Sequence, residues 1–282
     1  MKLVANRYGK ARVRVLKILR DGPVHTLKDV DVTALLEGDF AASYTSEDNS
    51  KVVPTDTIKN TVNVLAKQHL GEEIERFGVA LGQHFLTRYE QVEKAHIDIS
   101  EKTWQRMEIG GKPHPHSFLA GNDGKMWTRV VCSRGLDIIE SGIRDLVILK
   151  STGSGWAGYP KCEFTTLPET TDRILATRFE ARWSWSTGPS NYRKANEAIL
   201  NAMLEVFAND YSTSAQASVY QMGEAALKAC REISRIDLVM PNKHYLVINL
   251  SPFGLTNENE VFVPTDEPHG QIEGTIVRDA ND

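Results

Sequence analysis

Cysteine is scarce in this 282-residue chain: Cys132, Cys162 and Cys230 are an odd number, far apart and in no CxxC pair. That spacing excludes a disulfide framework and a thiolate zinc site and leaves reduced, structural thiols. Neither sign of charge dominates. Thirty-three Lys and Arg against 37 Asp and Glu give a formal net charge of −4. No global cationic field therefore draws nucleic acid or an anionic membrane to the surface. Long apolar runs are missing too: no stretch approaches the roughly 20 residues of a membrane helix, and the N-terminus has no secretory signal pattern. The terminal DAND is not a peroxisomal tripeptide, so the expectation is a cytoplasmic protein. GSGWAGYP matches neither GxGxxG nor GxxxxGK, which argues against dinucleotide and nucleoside-triphosphate chemistry.

What is present is a soluble, globular composition, 41% hydrophobic and 25% charged, in a chain long enough for two domains with a core each. RVRVLKILR (12–20) and HTLKDVDVTALLEG (25–38) flank Asp-Gly-Pro and read as a β-hairpin. The basic run that opens the chain, KLVANRYGKARVRVLK, fits a strand with one wet face, Val13, Val15 and Ile18 alternating with charges. Ile58, Val62, Leu65 and His69 recur at helical spacing, as do Phe77, Leu81 and Phe85, so two helices follow the hairpin. VEKAHIDISEKTWQRMEI reads as a strand pair, with GKPHPHSF as the loop beyond it. The second half repeats the order: strands LVILKS and RILATRFEARWSWS, helices NYRKANEAILNAMLEVFAND and SAQASVYQMGEAALKACREI, then strands RIDLVMP and YLVINLS. Strand, strand, helix, helix, strand, strand twice over predicts tandem α+β domains, antiparallel sheets with helices on one face, at 1–135 and 136–282. Such sheets leave edges and a face to cover, which predicts a closed symmetric oligomer.

Several polar clusters carry alternative readings. Thr55, Asp56 and Thr57, after Pro54 and before a helix, suit an N-cap, Asp56 also complementing the helix dipole. The reciprocal Glu or Gln of a capping box is missing, which leaves room for a second role. His114 and His116 stand two residues apart, so in an extended segment both face one side and can share a metal; packing within a loop is the plainer reading. Asn242, Lys243 and His244 follow Pro241 at a turn, which is also a place for a proton shuttle.

RYGKARVRVLK, PTDTIKNT, GKPHPHSF, LVILKSTGS through FTTLPETTDRIL, SAQASVYQMGE and MPNKHYLVINL, in this order, resemble the urate oxidases, or uricases. The resemblance spans almost the whole chain. It implies two tunnelling-fold (T-fold) domains assembling into a homotetrameric barrel, with active sites at subunit interfaces. The implied reaction joins urate, O2 and water to give 5-hydroxyisourate and hydrogen peroxide, with no metal and no organic cofactor. By the same resemblance Arg173 and Gln216 grip opposite edges of the purine, and Lys10, Thr55 and His244 relay protons. Asn242 binds the oxygen species, Asp56 contacts the purine through its backbone, and Leu167 and Ile272 line the pocket.

Two positions depart from the family pattern. Trp156 stands where a phenylalanine usually stacks under the purine, and Ala215, beside Gln216, replaces a somewhat larger aliphatic residue. A planar anion needs a cation fork, an amide and an aromatic surface, and these residues supply them. The competing reading is a non-catalytic purine-binding T-fold protein, in which Trp156 displaces the ring from the oxygen site. A pterin-handling enzyme on the same fold and a metal hydrolase built on HPHSF are weaker alternatives.

Overall fold

Period-two alternation of apolar residues builds the strands and decides which face meets the helices. In β2 (Thr26–Gly38), Val30, Val32, Ala34 and Leu36 are buried, while the residues between them are only partly covered. Burying a valine or leucine of this kind contributes roughly 1.5–3 kcal/mol. The computed structural model describes residues 1–279. Within them the chain forms two compact units, 1–143 with 184–194 and 144–183 with 195–279.

In the first unit β1 (Tyr8–Leu19) pairs antiparallel with β2, β2 with β3 (Val92–Ile109), and β3 with β4 (Lys112–Ser133). β5 (Leu136–Lys150) lies beside β4. A single turn, α1 (Ala41–Thr45), precedes the two helices, α2 (Thr55–His69) and α3 (Ile74–Arg88). α2 packs on β1 and α3 on β3 and β4. Ile58, Val62 and Leu65 face the core from α2, and Phe77, Leu81 and Phe85 from α3. His69, fourth in the apolar series read from the sequence, is exposed. The chain leaves the helix there, and the next residue, Leu70, turns into the core instead.

VEKAHIDISEKTWQRMEI is one 18-residue strand, not a pair, and GKPHPHSF is not a loop. Gly110 and Gly111, both at positive φ, make the turn, and the His-Pro segment runs back along β3 as the start of β4. Arg106 holds this unusual strand in place, donating to the carbonyls of His114 (2.8 Å) and Pro115 (2.7 Å) and to that of His25. The His114 and His116 rings pack edge to face at 4.6 Å. Among the described residues no group of three His, Cys, Asp or Glu converges for a metal.

In the second unit the neighbours run β5, β6 (Leu175–Trp185), β7 (Ile233–Val239), β10 (Glu273–Val277), with β8 (Asn242–Val247) joined to β6 and to β9 (Phe262–Gly270). α4 (Tyr192–Asn209) and α5 (Ala215–Ala229) supply the helices, α5 lying on β7 and β10. The expected α+β class, antiparallel strands with helices packed against them, is what both units have. No described helix is long and apolar enough to cross a membrane.

One carboxylate ties three strands of this unit together. Asp237 on β7 accepts from Arg235 (2.7 Å), from Arg182 of β6 (2.9 Å) and from Thr275 of β10 (2.5 Å). Burial pushes its pKa up, but the bonds from Arg235, Thr275 and Arg182 outweigh it and hold the group at about 2. A carboxylate depressed in the fold stabilises it above the unfolded value, about 4, and loses that contribution as pH falls toward 2. Asp237→Asn is therefore expected to lower urea stability by about 1 kcal/mol at pH 7, after solvent screening. The gap from the parent should shrink at pH 3; urea titrations at the two pH values check this.

Candidate active site

The expected site residues fall into two groups, one in each unit. In the first unit, Lys10 lies on β1 opposite Ala34, immediately before a β-bulge that places Arg12 at φ +58°. A bulge re-aims the side chains beside it. Gly9 lets the backbones come close there: a Cβ would lie 2.0 Å from the Ala34 carbonyl oxygen. Two residues before Lys10, the Tyr8 hydroxyl accepts from Val53 N (2.6 Å) and donates to Val53 O (3.2 Å). Val53 in turn stands two residues before Thr55, so one phenol ties the start of β1 to the start of α2. The Tyr8 ring is seated edge-on against Phe40 at 4.8 Å.

The N-cap reading of Thr55 fails. Pro54 occupies the cap position, no side chain caps the helix, and Thr55 is its first residue. Its exposed hydroxyl has no hydrogen-bond partner among the described residues, Lys10 included. The Asp56 carboxylate bonds Lys59 and Asn60 (3.0 Å). Its pKa is lowered, chiefly by the Lys59 bond, and the charge of Lys10 is near enough to add to the effect. Lys10, Thr55 and Asp56 thus occupy one neighbourhood with a free hydroxyl in it.

In the second unit a cavity of about 310 Å³ brings together Trp156, Leu167, Arg173, Asn242 and His244, with Tyr245 and Phe262 on its wall. The loop between β5 and β6 carries the first three. Its arms are tied by Trp156 N to Thr170 O (2.7 Å) and Thr170 N to Trp156 O (3.0 Å). Its base is fixed to the α4–α5 connection by Gly155 N to Ser212 O and Ser212 N to Gly153 O, both 2.9 Å. Arg173 N donates to Ser154 O at 2.8 Å. The guanidinium carbon stands 5.9 Å from the Trp156 ring centroid. Burial lowers the Arg173 pKa, and its Nε is buried with no partner among the described residues. From the other side, β8 supplies Asn242 and His244, paired with Gly270 and Thr265 of β9.

Gln216, Ala215 and Ile272 are not among the residues lining the cavity. Gln216 is exposed in the first turn of α5, four residues after Ser212, with Ala215 buried beside it. Ile272 accepts from Met240 N (2.8 Å) through its carbonyl; its side chain and that of Asn242 both lie beside Gly270. Sequence reading missed the tyrosines that hold these parts. Besides Tyr8, Tyr211 donates from its hydroxyl to Thr171 O (2.7 Å), two residues from Arg173. No spacing rule marks such contacts, because they join segments 40 or more residues apart.

With this geometry in view, the relatives are informative. A family model described as Uricase matches residues 6–131 and 139–273. The chain belongs to the uricase family. It is 42% identical to the uricase of Emericella nidulans, covering 98% of this chain and 97% of that one. It is 39% identical to the uricase of Arthrobacter globiformis, over 98% and 90% of the two chains. The crystal structure of the Arthrobacter globiformis uricase superposes with a TM-score of 0.93 at 38% identity, covering 99% of this chain and 96% of that one. A urate oxidase structure from Bacillus sp. TB-90 shares the fold, with a TM-score of 0.85 at 23% identity. Urate oxidation is the activity that membership of the uricase family carries.

An added atom at Gly155 would force a shift, since a Cβ would lie 2.3 Å from the Tyr211 hydroxyl and 3.0 Å from Thr170 O. Gly155→Ala is expected to cost about 1–3 kcal/mol of stability. It should also speed proteolysis between residues 156 and 170; urea unfolding and timed digestion measure the two effects.

Proposed function

We propose that the chain oxidises urate with O2 and water to 5-hydroxyisourate and hydrogen peroxide, without metal or organic cofactor, at sites completed between subunits of a homotetramer. The two T-fold domains of each chain are residues 1–135 and 136–282. The observation that carries the reading is the cavity joining Trp156, Leu167, Arg173, Asn242 and His244 in a uricase-family chain.

Urate stacks on the Trp156 indole and turns one edge to the Arg173 guanidinium, whose planar fork suits a flat anion. Gln216 holds the opposite edge with its amide, and the backbone at Asp56 contributes a further contact. Leu167, Ile272 and Ala215 close the apolar border. Fixing the ring in one plane removes orientational freedom before the reaction begins. Lys10 takes a proton from bound urate, with the hydroxyl of Thr55 and the imidazole of His244 passing protons to and from solvent. The more electron-rich anion reduces O2 held near Asn242; water then adds at the oxidised carbon, and peroxide leaves. Atoms balance, with O2 taking two electrons from urate.

Exposed apolar residues support assembly: Leu16 and Ile18 on β1, and Ile138, Val147 and Leu149 on β5. Strand faces of this kind need a cover.

Oxygen uptake matched by urate loss and peroxide formation tests the activity, and full turnover after exhaustive chelation tests cofactor independence. Tight urate binding without oxygen uptake would favour the non-catalytic purine-binding protein. Lys10→Ala and Thr55→Ala are each expected to lower kcat by about 10²–10⁴ with folding intact by circular dichroism; parental rates in both would remove the relay. Sites shared between chains give a second test. Lys10→Ala and Arg173→Gln chains, each inactive alone, should regain about a quarter of parental activity when co-assembled at random, since that share of shared sites has both residues. Sedimentation velocity should give four times the 31.5 kDa chain mass.

A further inference from the structure

We propose that Tyr159 is a positioning residue for the purine: its ring backs the Trp156 indole, leaving one indole face for the substrate, while its hydroxyl fixes Leu167 at the pocket border. The inference rests on the urate-binding reading above. Trp156 and Leu167 stand on opposite arms of the loop, which are paired backbone to backbone where Trp156 meets Thr170. Tyr159 is the side chain that touches both. Its ring lies 5.5 Å from the indole centroid at an interplanar angle of 15°. Its hydroxyl donates to Leu167 O at 2.5 Å.

The tyrosine is itself braced. Gly158 N donates to Glu169 Oε1 (3.3 Å), Lys161 Nζ pairs with the same oxygen (3.2 Å), and that ammonium stands 5.9 Å from the Tyr159 centroid. Leu167, by contrast, is 59% exposed, so packing alone does not fix it.

A tryptophan has more surface to align than a smaller ring, and an indole free to rock would have to be ordered by the substrate. A parallel ring against one face carries out that ordering in advance. The effect falls on binding rather than on the oxidation step, because Tyr159 reaches none of Lys10, Thr55, Asn242 or His244 through a hydrogen bond or ring contact. It also accounts for a tryptophan at this position: the indole is large enough to share one face with Tyr159 and offer the other.

The test uses Tyr159→Leu, Tyr159→Met and Tyr159→Phe in the full chain, so that at least one folded variant lacks the ring. Urate affinity is measured by equilibrium dialysis under argon, where no turnover occurs, and KM and kcat are measured in air. Losing the stacked ring is expected to raise both the anaerobic Kd and KM about 3- to 10-fold, with kcat within about twofold of the parent. Tyr159→Phe, which keeps the ring, should restore most of the loss. A Kd unchanged in the variants without the ring overturns the proposal, as does failure of Tyr159→Phe to restore it. A lower thermal midpoint with reduced kcat and unaltered Kd overturns it too, since that pattern marks a structural role alone. If the parent itself neither binds nor oxidises urate, it is the functional reading that fails.

Discussion

The loop wall of the second unit's cavity depends on three residues, Gly153 to Gly155, adopting strand-like pairing with Ser212. Two backbone bonds of 2.9 Å make that pairing, and the Ser212 hydroxyl is locked below it by Ser218 at 2.7 Å, out of water. A buried and satisfied backbone pairing is hard to undo, because each amide opened without water would lose about 1–3 kcal/mol. The consequence is positional. Arg173 is hung from Ser154 by its amide, Trp156 follows Gly155 directly, and Gln216 lies in the first turn of α5, four residues beyond Ser212. Aromatic floor, cation and amide, three groups separated by up to 60 residues of chain, are referred to one fixed point.

The first unit solves the same problem with a side chain. Tyr8 exchanges two hydrogen bonds with the Val53 backbone, and burial raises its pKa against the opposing effect of the Val53 bond, so the phenol stays neutral and can donate and accept at once. Lys10 and Thr55 are each two residues from this joint, on a strand and at a helix start respectively. The rigid elements extend away from the joint while Lys10 and Thr55 stay beside it, which suits the proton relay proposed for them. The bulge after Lys10 adds a local turn of the strand at the same place.

Much of this fold was legible in the residues, for physical reasons. Ile58, Val62 and Leu65, and Phe77, Leu81 and Phe85, repeat at the helical period because one face of each helix is in the core. The DVDV run of β2 alternates because one face of its sheet is packed. The His-Pro segment was misread because prolines and histidines carry neither alternation nor a core face; its place in β4 is set by Arg106 and by pairing with β3. Thr55 looked like a cap because threonine prefers that position, yet Pro54 takes it, and the hydroxyl is left free. Resemblance, not spacing, named the site residues. Geometry brought five of them to one cavity, whereas the tyrosines that hold those residues in place leave no pattern in sequence, since each bridges distant segments.

The Arg173 guanidinium explains why such bracing is needed. Its Nε is buried without a partner among the described residues, and its pKa is lowered by desolvation. An orphaned buried donor costs about 1–3 kcal/mol, more where the group is charged, and folded proteins seldom keep one without a use for it. A loop free to relax would turn that nitrogen to water and remove the cost. The pairing with Ser212 and the Tyr211 bond to Thr171 hold the loop against that relaxation. A planar anion whose edge accepts from that nitrogen then regains what the fold has given up, while a neutral or misoriented ring regains less. Under the proposed function, selectivity for an anionic purine edge would follow from the rigidity of the loop as much as from the charge it carries.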